Sequence, residues 1–318
     1  MCKAQDLEKN IILEFEENFQ FEYRGYRYVV NRVGKPTVAE GEPKTDIYLD
    51  LSYVSDYGEI PENIIYKISV KKDNADFLEN KMTPASAERL FGLGWREAIQ
   101  KSTQTIREKF EARPLIYKES SGRTEAGSIT LGWRFELVNK NNGALSGTLE
   151  LNKEQLIDVY AGTNLPEDKR NAFVNGQKIL DSGIATHLYT STIDSLNTAA
   201  ILDSLRTIEE YSQEHREIYF ACKAVNSRTS IFVRTRRTQR EEPKVEGARY
   251  LAVYVDWFIN GQRKLDYKLV FDNPLSPEHK GGEQNSKLYD CLLQLGVRNV
   301  DELKVEQVEH PEIIYWGK

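Results

Sequence analysis

Two segments near the N-terminus alternate apolar and polar residues with the two-residue period of a half-buried β-strand, and nothing else in the chain constrains the fold as tightly. In Thr45–Val54, Ile47, Leu49 and Leu51 fall on one face and Asp46, Tyr48 and Asp50 on the other. In Asn63–Lys72, Ile64, Tyr66, Ile68 and Val70 share one face, and Ile65, Lys67, Ser69 and Lys71 share the opposite one. An antiparallel hairpin closed through Asp56–Glu62 sets the start of the first strand beside the end of the second. Asp46 then faces Lys71, and Ser69 lies on the same face as Lys71.

The flanking pattern extends this pair. Residues 5–18 read as an amphipathic helix, with Leu7, Ile11, Ile12, Leu13 and Phe15 on its apolar stripe. Tyr23–Val33 reads as a strand broken by Gly34-Lys35-Pro36. Thr83-Pro84 supplies an N-cap and a proline at the first helical position, and the helical pattern runs to Phe110, with Gly92-Leu93-Gly94 as a point of division. A further strand is expected from Leu115–Tyr117 or from Ile129–Val138. Ser120-Ser121-Gly122-Arg123 is the expected boundary between a domain of residues 1–120 and one of 121–318. In the latter, three hairpins are expected: Ile129–Val138 with Leu145–Leu151, Ile218–Val225 with Ile231–Arg236, and Arg249–Ile259 with Lys264–Phe271. The last turns at Asn260-Gly261, the strongest turn signal in the chain. Short helices are expected at Lys153–Tyr160 and Pro166–Val174, a long one at Ile193–His215, and further helix near the C-terminus. The fold class expected is therefore α+β, with antiparallel hairpins in the C-terminal α/β module.

Composition excludes several classes of function. Of the 318 residues, 40% are hydrophobic, including 17 Tyr and 12 Phe, which marks a folded chain rather than a disordered one. No run approaches the ~20 apolar residues of a membrane span, and the N-terminus lacks a secretory h-region. The three cysteines form no CxxC and their odd number does not suit a disulfide framework, so a cytoplasmic location is expected. The four histidines are scattered, which gives no zinc spacing. No GxSxG supports a serine triad. Gly92-Leu93-Gly94-Trp95 lacks the Lys-Ser/Thr of a phosphate loop.

The residues that can carry chemistry are Asp46 and Lys71. Phosphodiester hydrolysis needs a hard cation with oxygen ligands, and one or two carboxylates with a backbone carbonyl can hold it. A neighbouring lysine can orient the attacking water or share the developing charge. Pro43-Lys44-Thr45-Asp46 followed by Ser69-Val70-Lys71-Lys72 resembles the PD-(D/E)XK superfamily, in particular its restriction-endonuclease-like members. Those proteins have an α-β-β-β-α-β core, in which the motif aspartate opens the second strand and the (D/E)-X-K lies on the third. The match covers about a third of the chain, from Leu7 to Phe110. The resemblance implies catalytic roles for Asp46, Ser69 and Lys71. It implies a Mg²⁺ or Mn²⁺ held by Asp46 and the Val70 carbonyl, with Asp50 as a further ligand, and Lys72 as a phosphate contact. Ser69 departs from the family's Asp or Glu. Glu16, Glu22, Asp73 and Glu79 are other carboxylates able to compensate.

A second feature is basic. The formal charge of the chain is −6, yet Lys223–Arg249 carries eight basic residues against three acidic ones. Arg234, Arg236, Arg237 and Arg240 suit phosphate or guanine contacts. The alternative is a solvated basic sheet face, with Tyr219, Phe220, Phe232, Tyr254 and Trp257 as core. The leading expectation is a metal-dependent DNA endonuclease with a C-terminal target-recognition module, in a restriction or phage setting. DNA is the expected partner, no membrane is involved, and a homodimer is left open. The rivals are an inactive nuclease-like DNA-binding factor and a protein-binding or phage structural factor.

Overall fold

The computed structural model describes residues 4–53, 63–71, 77–79, 82–141, 143–190, 197–236, 239–245 and 249–317. The chain forms two compact units, each discontinuous in sequence: Met1–Asp76 with Glu150–Arg216, and Phe77–Leu149 with Glu217–Lys318. Both are α+β. A boundary near residue 120 is therefore corrected, because residue 120 falls inside the second unit. The physical reason is packing: Phe110 meets Trp133 and Phe271 edge-on, so the helices of residues 84–111 belong with the second unit's sheet.

The first unit begins with helix α1 (Ala4–Glu14) and strands β1 (Gln20–Tyr23), β2 (Tyr26–Gly34), β3 (Ile47–Tyr53) and β4 (Asn63–Lys71). The second unit then opens with β5 (Phe77–Glu79), α2 (Pro84–Phe91), α3 (Trp95–Gln104), α4 (Arg107–Glu111), β6 (Ile116–Tyr117), β7 (Ser128–Val138) and β8 (Ser146–Leu149). The chain returns to the first with α5 (Lys153–Ala161), α6 (Glu167–Arg170), β9 (Phe173–Val174), β10 (Gln177–Lys178), β11 (His187–Thr190), α7 (Thr198–Ser204), β12 (Leu205–Thr207) and α8 (Ile208–Glu214). It closes in the second with β13 (Ile218–Arg234), β14 (Glu241–Val245), β15 (Val253–Ile259), β16 (Leu265–Val270), α9 (Gly281–Gln294) and β17 (Ile314–Tyr315).

The first unit is built on a six-stranded mixed sheet in the order β1-β2-β3-β4-β11-β12. The four N-terminal strands form an antiparallel meander, with Ile47 opposite Ile68 and Leu51 opposite Ile64. Strand β11 lies parallel to β4, and β12 antiparallel to β11. Parallel neighbours need a long crossover, and here the crossover contains an entire segment of the second unit followed by α5. One face of the sheet buries Val30, Val33, Ile47, Leu49, Leu51, Ile68, Val70 and Tyr189 against Ile11 of α1, Phe15 just after it, and Ile201 and Leu202 of α7. The alternation read in Thr45–Val54 and Asn63–Lys72 is thus the side-chain partition between core and opposite face. The strand expected over Tyr23–Val33 is instead part of a hairpin. Arg24 and Gly25 both take positive φ, 49° and 81°, which reverses the chain as a type I′ turn does.

The second unit's sheet runs β14-β13-β7-β15-β16, with β8 also on β13. The expected Ile129–Val138 with Leu145–Leu151 hairpin does not form, because β13 pairs with β7 along one edge and with β8 along the other. Nor does the chain turn at Asn226-Ser227-Arg228. Ile218–Arg234 is one 17-residue strand that runs through those residues without reversal, opposite a bulge at Leu131 of β7. Gly132 lies at that bulge with φ +151°, where a Cβ would meet the Val253 carbonyl oxygen at 2.4 Å. The β15–β16 hairpin forms as expected, with Asn260 Oδ1 accepting from the Gln262 and Lys264 amides at 3.0 and 3.1 Å. Thr83 caps α2 in a reciprocal box with Ser86, and Gly92–Gly94 forms a 3₁₀ turn that divides α2 from α3. The helix expected over Ile193–His215 is interrupted by β12.

Candidate active site

The site lies where the loop after β2 delivers the chain into β3. The Asp46 amide donates to the Ile68 carbonyl at 2.8 Å, which fixes the residue against β4. Its carboxylate then folds over the end of that strand. Oδ2 accepts the Val70 N–H at 2.7 Å and the Ser69 hydroxyl at 3.4 Å. The two halves of the sequence pattern are therefore joined by a charge-assisted hydrogen bond, the stronger kind. Burial pushes the Asp46 carboxyl above the usual carboxylate range, opposed by the positive charge of Lys71, by the Val70 N–H and by Lys35; the negative charge of Glu8 pushes it further up. Lys71, the last residue of β4, thus lies within electrostatic reach of Asp46.

Glu8 is the residue that reading the sequence missed. It sits on α1, three residues before Ile11 and seven before Phe15, both fully buried, and it is itself only 8% exposed. Residues i, i+3 and i+7 share a helix face, so a carboxylate in an otherwise apolar stripe was a legible signal of a buried acid with a partner. That partner is Lys35, directly after β2, whose Nζ lies 2.5 Å from Glu8 Oε2. Burial would depress the Lys35 ammonium, but Glu8, Asp46 and Glu42 together hold it above its ordinary value. A cleft of about 130 Å³ is lined by Lys35, Pro36, Pro43, Thr45 and Asp46 among others. Thr45 is 1% exposed, and its hydroxyl has no hydrogen-bond partner among the described residues.

Other expected residues are placed differently. Asp50 shares the parity of Asp46, but four residues of extended strand separate them by roughly 13 Å. Its Oδ1 accepts from Asn31 Nδ2 at 3.0 Å, so it does not join Asp46 in one ion's shell. Ser69 is fully buried and donates to Asp46, which makes it a support of the aspartate. Val70 presents its amide to Asp46. Glu16 and Glu22 are exposed, and Glu22 lies across from Arg27. Glu79 is in the second unit, 3.8 Å from Arg89. Lys72 and Asp73 lie outside the described residues.

In the second unit, Arg234 ends β13 directly opposite Glu241 of β14, with Val233 opposite Glu242. Arg236 and Arg240 are exposed in the connection, and Arg237 lies outside the described residues. The acidic neighbours offset part of the local charge. Ile231 and Val233 are exposed beside the arginines, at 40% and 41%. Phe220 and Trp257 are core, and the Trp257 indole donates to the Thr130 carbonyl at 3.0 Å.

Among the described residues, no three His, Cys, Asp or Glu side chains gather as a metal cluster. Asp46 lines that small cleft, and Glu8, paired with Lys35, adds a second negative charge that acts on Asp46. Mg²⁺ is commonly held by one or two carboxylates with waters completing its shell, and the donor set fits that sparse, water-rich mode. Among the described residues, no helix is long and apolar enough to cross a membrane. A comparison with protein-family models, curated proteins and solved structures finds no match to this chain.

Proposed function

We propose that the first unit is a divergent nuclease core of the PD-(D/E)XK kind, and that the protein hydrolyses phosphodiester bonds in DNA with Mg²⁺ or Mn²⁺. The observation that carries this reading is the 2.7 Å bond from the Val70 amide to the Asp46 carboxylate, which ties the motif aspartate to the strand that ends in Lys71. The chain order supports it: within the first unit α1, β2, β3, β4, α5 and β11 occur in the sequence helix, three strands, helix and strand, with β1 added before β2 and α6, β9 and β10 between α5 and β11; Asp46 enters the second of these strands and Ser69-Val70-Lys71 end the third. The last strand of that series is β11, reached after the insertion of a segment of the second unit, rather than Leu115–Tyr117 or Ile129–Val138.

When bound, the cation supplies an activated water and stabilises charge on the phosphate. Asp46, held by the Val70 and Ser69 donors, presents its carboxylate as a fixed ligand. Glu8 provides the second carboxylate in place of the acidic residue that Ser69 does not offer. Lys71 orients the attacking water or shares charge with the phosphate oxygens. The second unit acts as the recognition module, with Arg234, Arg236, Arg237 and Arg240 as phosphate contacts; Lys72, in the first unit, is a further one.

Incubation of supercoiled plasmid with the protein and Mg²⁺ or Mn²⁺ tests the reading. Nicking is expected, and Asp46→Ala and Lys71→Ala should each abolish it; nicking unchanged by both substitutions sinks the assignment. A second reading, a nuclease-like DNA-binding factor without activity, is favoured by the commitment of Ser69 to Asp46. It predicts no nicking in any metal, together with salt-dependent DNA binding that weakens when Arg234 and Arg236 become alanine.

A further inference from the structure

Strand β13 pairs with β7 along one edge from Tyr219 to Arg228, but its other edge is covered in two separate pieces. Strand β8 covers Ile218–Ala221, and β14 takes over only at Ser227, opposite Val245. The Cys222 amide still donates to the Leu145 carbonyl, just before β8, at 2.7 Å. No described strand lies against that edge of Lys223–Asn226, a stretch of roughly 13 Å. Cys222 directs its N–H to this edge, so Ala224, two residues on, directs its N–H and C=O there as well. An uncovered edge is a template for a further strand. By Arg249 the chain that follows β14 has left it: the Arg249 carbonyl accepts the Gly281 amide at 2.8 Å, and Leu251 packs with Val225, on the face opposite to that of Ala224. A cavity of about 210 Å³ opens beside the same stretch, lined by Arg113, Tyr117, Trp133, Cys222 and Ala224 among others. Among the described residues that line it, the charged ones are Arg113 and Lys223, both cations. Ala224 lies directly across from Trp133, so both side chains point to the cavity's side of the sheet.

We propose that the gap in the β13 edge takes up an extended peptide segment of a partner protein as an added strand, with an acidic side chain opposite Ala224 held in the Arg113 cavity. The segment runs antiparallel to β13, as β8 and β14 do on either side of it. Its backbone exchanges hydrogen bonds with Ala224, which gives affinity, and the cavity selects the side chain. A residue paired with Ala224 places its side chain on the same face as Ala224, where the cationic lining favours a carboxylate and repels an ammonium. The site lies within the second unit and stands whether or not the first unit hydrolyses DNA.

The test is titration of the isotope-labelled full-length protein with end-capped peptides of the form threonine-valine-X-valine, where X is glutamate, lysine or glutamine. The amide resonances of Ala224 and Asn226 report both affinity and location. The glutamate peptide should bind at least tenfold more tightly than the lysine peptide and shift both resonances. Methylation of the nitrogen of its glutamate removes the donor to the Ala224 carbonyl and should weaken binding at least tenfold. Arg113 is exposed, and Arg113→Glu should reverse the preference in favour of the lysine peptide. If that variant does not give the wild-type circular dichroism spectrum, Arg113→Gln should abolish the preference. The proposal is overturned if no peptide shifts these resonances at millimolar concentration, if glutamate and lysine peptides bind alike, or if the methylated peptide binds as well as its parent.

Discussion

Replacing Asp46 with asparagine separates what the carboxylate does for the fold from what its charge does for function. In the wild type, Asp46 Oδ2 accepts the Val70 N–H at 2.7 Å and the Ser69 hydroxyl at 3.4 Å. Asp46→Ala removes both acceptor contacts and leaves the Val70 amide unpaired at a buried strand end, a loss of about 1.5–3 kcal/mol for a bond to a charged group. Asp46→Asn keeps a side-chain carbonyl in the same place. It forfeits the attraction of Lys71 and Lys35, but it also removes a charge that burial disfavours, since the carboxyl is held above its ordinary range. The two effects oppose each other, so Asp46→Asn should stay within about 1 kcal/mol of wild type. Urea unfolding read by circular dichroism gives the stability order, and plasmid nicking gives the activity. Nicking should fall by roughly two orders of magnitude or more in both variants, the several kcal/mol of charge stabilisation that a bound cation provides. Equal destabilisation by Asn and Ala would refute the reasoning, because the hydrogen bond would then not be what matters to the fold.

Three further predictions test separate parts of the structure. Glu8→Gln should lower the nicking rate at least ~10-fold in limiting Mg²⁺ while the protein stays folded, measured by initial rates against metal concentration. His187 is held below its ordinary pKa of 6.5 by burial, with Glu210 opposing; its protonation favours the unfolded chain, so its contribution is intact above pH 6.5 and lost as pH falls toward the lowered folded value. The urea midpoint of His187→Gln should therefore change less than that of wild type on acidification from pH 7. Gly132→Ala places a methyl 2.4 Å from the Val253 carbonyl at a φ of +151°, and should lower the stability of the second unit by about 1–3 kcal/mol in the same unfolding assay.

The sequence made some of this legible because the signals are local. Period-two alternation identified β3 and β4 and their faces, Thr83-Pro84 marked the start of α2, and Asn260-Gly261 marked the β15–β16 turn. What was not legible is the set of contacts made at long range. Strand β11 pairs with β4 across more than a hundred intervening residues, and no local pattern states which strand will lie beside which. The division into discontinuous units follows from that pairing. Strand β13 misled because polar Asn226 and Ser227 look like a turn, whereas in a wide sheet they sit opposite a bulge. Asp46 and Lys71 were readable from strand facing. Glu8 was present in the helical stripe of α1, but a single acid among apolar residues becomes a candidate only once its ion pair with Lys35 is seen.

The most direct test of the central claim is conversion of covalently closed plasmid to open-circle DNA by wild-type protein in Mg²⁺, with EDTA and with Asp46→Asn run alongside. The account predicts conversion that requires the metal and disappears in the folded Asp46→Asn variant. Conversion that survives EDTA or Asp46→Asn, or its absence for wild type in both Mg²⁺ and Mn²⁺, would contradict it.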